Sequence, residues 1–397
     1  MQKKIKIAIS ATGFIEWHGG IDFLKGIIRM LLQKVNDFYL LLPSFSLKNY
    51  PKILVKNFRS ILKLYNQIFP AKENPEIEEI FEEFKGKVKF VYHNGNILKT
   101  INKIKPDIIY PTWDMLFNKT DIPQVAYLYD CQHKYFPQNF KKHSIKSRDK
   151  YFQKVVNNYK AIIVASENAK NDLIKFYHAN PEHIFRIEEN LNINSTYLDK
   201  IDYNIKEKYN LPEEYFIICS QFWQHKSHIT AFEAVKKLKD KGINVFIVCT
   251  GKQEDYRHPM HIQNLFKKIE EWGIQDNIRT LGMVEKKEQI ELIRNAKALI
   301  QPSLFEGGAG AGGVREALIL ARPIIMSDIA INKEYEDKEN ISYFTAKDAD
   351  SLSKNMQILL NSEIKNCSNE ELIEISKERS KLTVEKIYAP IDKLLNL

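Results

Sequence analysis

The chain has 397 residues, 44% of them hydrophobic and 27% charged. That balance excludes a disordered or fibrous protein and sets two domains as the expectation. No apolar run reaches the roughly 18 residues that a membrane-spanning helix needs. The net charge of +9 is unevenly spread: residues 1–200 hold 31 Lys+Arg against 20 Asp+Glu, and residues 201–397 hold 28 against 30. The basic half points to an anionic partner such as a membrane surface, a lipid phosphate or a polyanionic glycan, or to a plain lysine-rich surface. Nucleic acid is the less expected partner, because no basic stretch is interleaved with an aromatic binding motif.

From the N-terminus, Met1-Gln-Lys-Lys-Ile-Lys6 leads into the first apolar run without the apolar core of a signal peptide. A cytoplasmic protein, with a place at the inner face of the membrane open to it, is the expectation. Strand-like runs follow at 4–10, 38–43, 88–93, 107–112, 125–130, 161–166 and 184–187. Helical spacing at 21–35 and 168–176 separates some of them, and 45–85 reads as a helical elaboration. Apolar strands alternating with amphipathic helices predict a parallel sheet wrapped by helices.

The pattern relaxes near 194–212 and then restarts. Further strands are predicted at 215–220, 245–250, 278–281, 298–303, 323–327 and 341–344, with helices between them. The expectation is an α/β protein of two doubly wound, Rossmann-like domains, 1–200 and 210–380, facing across a cleft. A last helix, about 380–397, is expected to pack back onto the first domain. The four cysteines form no CxxC pair and read as small buried hydrophobes, not as metal ligands.

The densest motif is Gln301–Tyr335, QPSLFEGGAGAGGVREALILARPIIMSDIAINKEY. Glu306 and Glu316 flank five glycines within seven residues, Gly307, Gly308, Gly310, Gly312 and Gly313. These sit where a strand hands over to a helix. Glycine lets backbone approach a ligand closely, and unpaired amides at a helix start suit an anion. A carboxylate on each side adds acceptors for sugar hydroxyls. Phosphate together with polyol describes a nucleotide sugar.

This motif, with the two-domain pattern, resembles the GT-B glycosyltransferases and, within them, glycosyltransferase family 4. In that family seven residues separate two glutamates, whereas here nine residues intervene. The resemblance implies that Glu306 faces the donor sugar and Glu316 binds the nucleotide ribose. It implies that amides at Gly307, Gly308 and Gly310 hold the diphosphate. Cys219-Ser-Gln-Phe-Trp-Gln-His-Lys-Ser-His228 follows the first strand of the second domain. Lys226 keeps the place of the family's phosphate-binding lysine, and Gln221 stands where an arginine is usual. His225 and His228 read as solvated loop residues. Thr250 and Gly251 end the next strand and could touch phosphate or base, or make a plain turn; Gly282 occupies the place of the nucleobase contact. In the first domain, Gly19 and Gly20 match a glycine pair beside the donor phosphate or acceptor. His133, after the fifth strand, matches a histidine beside the donor sugar, and Ser166 resembles a helix cap on the acceptor side.

The resemblance thus implies catalytic roles for His133, Lys226 and Glu306, with a nucleotide-sugar donor and a glycan or lipid-linked acceptor. It implies a retaining hexosyl transfer without a bound metal. Another GT-B enzyme, such as an epimerase or phosphorylase, and a binding paralogue without turnover remain the alternatives.

Overall fold

The computed structural model describes residues 5–16, 18–35, 37–44, 73–94, 96–113, 116, 119–187, 198, 201–308, 313–335, 340–364 and 366–396. Gly310 and 45–72 of the expected helical elaboration lie outside these residues; the part of that segment described carries a short helix, Pro75–Ile80.

Among the described residues, thirteen strands form two parallel sheets. The first holds β1 (Lys6–Ser10), β2 (Asp37–Pro43), β3 (Lys89–His93), β4 (Ile108–Thr112), β5 (Gln124–Tyr127), β6 (Ile162–Val164) and β7 (Ile184–Arg186). Their order is β3-β2-β1-β4-β5-β6-β7. The second holds β8 (Phe216–Cys219), β9 (Ile247–Thr250), β10 (Ile278–Gly282), β11 (Ala298–Gln301), β12 (Ile324–Ser327) and β13 (Ile341–Phe344), ordered β10-β9-β8-β11-β12-β13. Central strands such as FIIC, ALIQ and IIMS are buried at every residue. A strand covered by helices on both faces has no reason to alternate with polar residues, so it reads as an unbroken apolar run. In each sheet the order reverses at the middle, between β1 and β4 and between β8 and β11. Open α/β sheets bind ligands at such switch points, beyond the carboxyl ends of the strands.

Gly313 closes the glycine-rich turn against the second sheet. A Cβ there would lie 2.6 Å from Leu299 Cδ1, 2.8 Å from Cys219 Cβ and 3.1 Å from Ile293 Cδ1. This glycine is therefore required by packing, and it fixes the start of the helix Val314–Ile319 that carries Glu316. Glu288 serves the neighbouring helix Lys286–Asn295 in a similar way. Its buried carboxylate accepts from Tyr203 at 2.5 Å, Tyr209 at 2.8 Å and Lys208, tying the segment that enters the second domain to that helix.

Among the described residues the domains meet at the last helix and along a polar seam. The helix Asn369–Leu395 begins with Leu372 in the core of the second domain and ends with Val384, Ile387, Tyr388 and Ile391 in the core of the first. Elsewhere, Glu334 of the second domain accepts the backbone N–H groups of Glu167 and Asn168, at 2.8 and 2.7 Å. These amides open the helix Glu167–Tyr177, whose third amide is capped by Ser166 Oγ at 3.0 Å. A helix start has no internal acceptors for its first N–H groups, and a carboxylate also suits the positive end of its dipole.

Two outcomes follow from these contacts. Gly313→Ala forces a methyl group into packed side chains and should cost about 1–3 kcal/mol of unfolding free energy in urea titration. An unchanged midpoint would mean that the turn is not seated on Leu299 and Cys219. Glu334→Ala strips two helix-start amides of their acceptor and should lower stability by about 1–2 kcal/mol by the same measurement. Retention of full stability would show that this interdomain contact is absent in solution.

Candidate active site

The glycine-rich turn leaves β11 and carries Glu306 on its near side. Glu306 is buried, at 5% exposure. Both its oxygens accept from Lys226 Nζ at 2.7 Å, and Oε1 also accepts from Gln301 Nε2 at 2.7 Å. Lys226 ends the single turn Gln224–Lys226 that follows β8. The amide of Leu304 donates to the His225 carbonyl at 2.8 Å, so the exits of β8 and β11 are joined by backbone as well.

Glu316, on the far side, is 7% exposed. Its Oε1 accepts from Lys286 Nζ at 2.5 Å, and Oε2 is buried without a hydrogen-bond partner among the described residues. Burial alone would push this carboxyl up, but the charges of Lys286 and Arg315 outweigh it and hold it below the ordinary carboxylate range. The Lys286 ammonium, which burial works to discharge, is held above its usual value by Glu316 and Asp22. Both groups are therefore ionised near neutrality. Asp22 lies 3.7 Å from Lys286 and belongs to the first-domain helix His18–Leu31, which begins with Gly19 and Gly20. The start of that helix thus stands beside the Glu316 pair.

The strand ends at Gly251 and Gly282 differ in their surroundings. Gly251, with φ of +120°, would place a Cβ 2.3 Å from the Ser220 carbonyl oxygen. Its N–H donates to the Gly282 carbonyl at 2.7 Å. Only glycine fits this crossing of β8, β9 and β10, and the preceding Thr250 is buried. Around Gly282 itself the space is open, and the next residue, Met283, is exposed. Helix Val314–Ile319 has six residues, so its dipole is a minor source of positive charge beside Lys226 and Lys286.

Gln221 does not reach toward solvent: its Oε1 accepts from Trp223 Nε1 at 2.6 Å. The Arg257 guanidinium stacks over the Trp223 ring at 4.6 Å and the first-domain Phe140 ring at 5.0 Å. It also donates to Gln132 Oε1 at 3.0 Å. Asp255 pins its loop to the Lys226 turn by accepting from the amides of Gln224 and Arg257, each at 2.9 Å. His258 and Asn139 add a 3.0 Å contact across the same seam.

Three histidines differ from expectation. His228 is fully buried and stacks on Phe222 with ring centroids 4.1 Å apart. Burial pushes it down to about 3, so it is a neutral core residue and not a solvated one. His225 is pushed down by burial and by the adjacent Lys226 and Arg257 charges. His133 does not join Lys226 and Glu306. Its ring is turned into the first domain between the edges of Phe140 and Phe152, at 1% exposure. Nε2 faces Tyr177 Oη at 2.9 Å and Asp149 Oδ1 at 3.1 Å. Burial lowers its basicity despite Asp149. His133 lies in the short helix Gln132–Tyr135, which turns its ring inward.

The residue of that stretch that does reach the turn is Asp130. A Cβ on Gly307 would lie 3.0 Å from Asp130 Oδ2 and 3.2 Å from its Cβ. Gly307 is thus a glycine because a first-domain carboxylate lies flat against it; Gly308 beside it is buried. Asp130, Lys286, Gln301 and Arg257 escaped the sequence reading. Lys286, Arg257 and Asp130 reach Glu316, Gln132 and Gly307 from far along the chain, and Gln301 reads only as the last residue of a strand.

The two-sheet architecture occurs in known proteins. Residues 200–379 match the family model described as glycosyl transferases group 1. A structure of HepE from Anabaena in complex with UDP and glucose superposes with a TM-score of 0.63 at 14% identity, covering 99% of each chain. A glycosyltransferase from Rickettsia africae gives 0.62 at 15% identity, covering 99% of this chain and 96% of that one. Sucrose-phosphate synthase from Thermosynechococcus elongatus gives 0.61 at 12% identity over the same shares. No curated protein sequence matches the chain. The fold is the two-domain GT-B architecture of these glycosyltransferases, and the part of the chain that resembles group 1 glycosyl transferases in sequence is its second sheet and the glycine-rich turn.

Proposed function

We propose that the protein is a retaining glycosyltransferase that moves a hexose from a nucleoside diphosphate to a hydroxyl of a glycan, glycolipid or glycoprotein. The observation that carries this reading is Glu316 Oε2, a buried acceptor without a donor beside a charged, lysine-held Oε1. An unsatisfied buried acceptor costs about 1–3 kcal/mol, and a ribose hydroxyl supplies the missing donor. The start of the Gly19–Gly20 helix closes the same corner from the first domain.

In this reading the diphosphate lies along the described amides of Gly307 and Gly308, near Lys226. As the anomeric bond breaks, the sugar gains positive character and the diphosphate takes the electron pair. A preorganised cation at that point lowers the barrier because it needs no rearrangement when the charge arrives. Lys226 is held in place beforehand by both oxygens of Glu306, so its position does not depend on the donor. Glu306 in turn is oriented by Gln301 to receive hydroxyls of the transferred sugar. The basic balance of residues 1–200 supports an anionic acceptor, such as a lipid-linked phosphate at the inner membrane face.

Thermal-shift screening with UDP-, GDP-, ADP- and dTDP-sugars should give one strong stabiliser. Calorimetry with the corresponding nucleoside diphosphate should then show Glu316→Ala binding roughly 10- to 100-fold more weakly. Unchanged affinity would count decisively against the ribose role. Release of the nucleotide only when an acceptor is present separates transfer from epimerisation, and inversion at the anomeric carbon of the product would overturn retention.

A further inference from the structure

We propose that Asp130 takes the proton from the incoming acceptor hydroxyl, an assignment that rests on the glycosyl transfer proposed above. Asp130 follows β5 at the carboxyl end of the first sheet and lies against Gly307, the residue after Glu306. Its two oxygens differ. Oδ1 accepts the Gln132 amide at 2.9 Å and stands 3.9 Å from Arg148 Nη1. Oδ2, the oxygen nearer Gly307, accepts no hydrogen bond among the described residues, although the side chain keeps 22% of its surface open.

The other carboxylates beside the turn are already engaged. Glu306 has both oxygens on Lys226 and one on Gln301. Glu316 is bound to Lys286 and lies at the opposite end of the turn. His133 spends Nε2 on Asp149 and Tyr177, and its Nδ1, although unpartnered among the described residues, is sealed inside the first domain at 1% exposure, out of reach of an incoming hydroxyl.

The stereochemistry adds a second constraint. In a retaining displacement without a covalent intermediate, the hydroxyl arrives on the face from which the diphosphate departs. A base serving that hydroxyl must therefore border the turn that holds the diphosphate, as Asp130 does. The donor's C1–O bond breaks and its electron pair leaves with the diphosphate. The acceptor oxygen bonds C1, and its proton passes to Asp130 Oδ2. Burial raises the basicity of Asp130, opposed by Arg148, the Gln132 amide, His133 and Arg257, which face it from three elements. Tyr129, Cys131 and Asp172 also lie within its field.

The test uses the full chain and the isosteric Asp130→Asn. Nucleotide release from UDP-glucose, GDP-mannose, ADP-glucose and dTDP-glucose, each with a panel of free hexoses and hexosides as acceptors, is measured beside calorimetric affinity for the matching nucleoside diphosphate. The expected result is affinity within about two-fold of the parent and turnover lower by roughly 100-fold or more, with the acid limb of the kcat profile lost. Arg148→Ala, which keeps the carboxylate but removes its ion-pair partner, should retain turnover within about ten-fold. Turnover of Asp130→Asn within about three-fold of the parent overturns the assignment. So do equal losses of affinity and turnover in Asp130→Asn and Arg148→Ala, which would mark Asp130 as a residue that only holds the seam. A parent chain that binds none of the four probes overturns the glycosyl-transfer reading itself, and the assignment with it.

Discussion

The geometry of the site depends on two buried ammonium–carboxylate contacts, Lys226 with Glu306 and Lys286 with Glu316. Each fixes one side of the glycine-rich turn to a different neighbouring strand exit, the first to the end of β8 and the second to the helix after β10. Without them the turn would be a glycine-rich loop with little conformational preference of its own. Buried ion pairs are poor devices for stability alone, because desolvation consumes most of the Coulombic gain. Two of them at the ends of one turn are better explained by what they hold in place. Each also leaves a charged group near the turn without a large net field, so an anionic ligand meets preset cations and not a bare positive cavity.

The second domain was more legible in the sequence than its site. All thirteen strands could be read from apolar runs, because parallel strands buried on both faces carry the same chemistry along their whole length. The glycines were only partly legible. A cluster of glycines announces close approach, but composition does not say to what. Gly313 approaches Leu299 and Cys219, Gly251 approaches the backbone of β8, and Gly307 approaches Asp130. Two of these three are demands of packing within the domain. The third is a contact across the seam from a residue 177 positions earlier in the chain.

His133 and Asp130 show the same limit from the other direction. Both lie in the short stretch after β5, and a histidine is the more conspicuous candidate. Which of them faces the turn is decided by local backbone. Asp130 Oδ1 caps the amide of Gln132 and so keeps its side chain at the sheet edge, while the turn that begins there carries His133 under Phe140 and Phe152. A two-residue capping contact of this kind is visible in sequence only as an Asp preceding a polar residue, a pattern too common to decide an orientation.

The two connections between the domains differ in kind, and the difference bears on how the site can work. The end of the last helix buries Val384, Ile387, Tyr388 and Ile391 in the first-domain core, and each such side chain is worth about 1.5–3 kcal/mol relative to exposure. The seam at the site is mostly polar: Arg257 with Gln132, His258 with Asn139, Glu334 with two helix-start amides, and Lys286 with Asp22. Phe305 against Tyr135 and Phe136 adds its apolar part. Polar contacts exchange for water at a net cost of only about 0.5–1.5 kcal/mol each. The seam is therefore the cheaper of the two connections to break. A parting of the domains would open the turn at Gly307 and Asp130 to solvent while the last helix kept the halves attached, and the glycosyl transfer proposed above would use an opening of this kind to admit donor and acceptor.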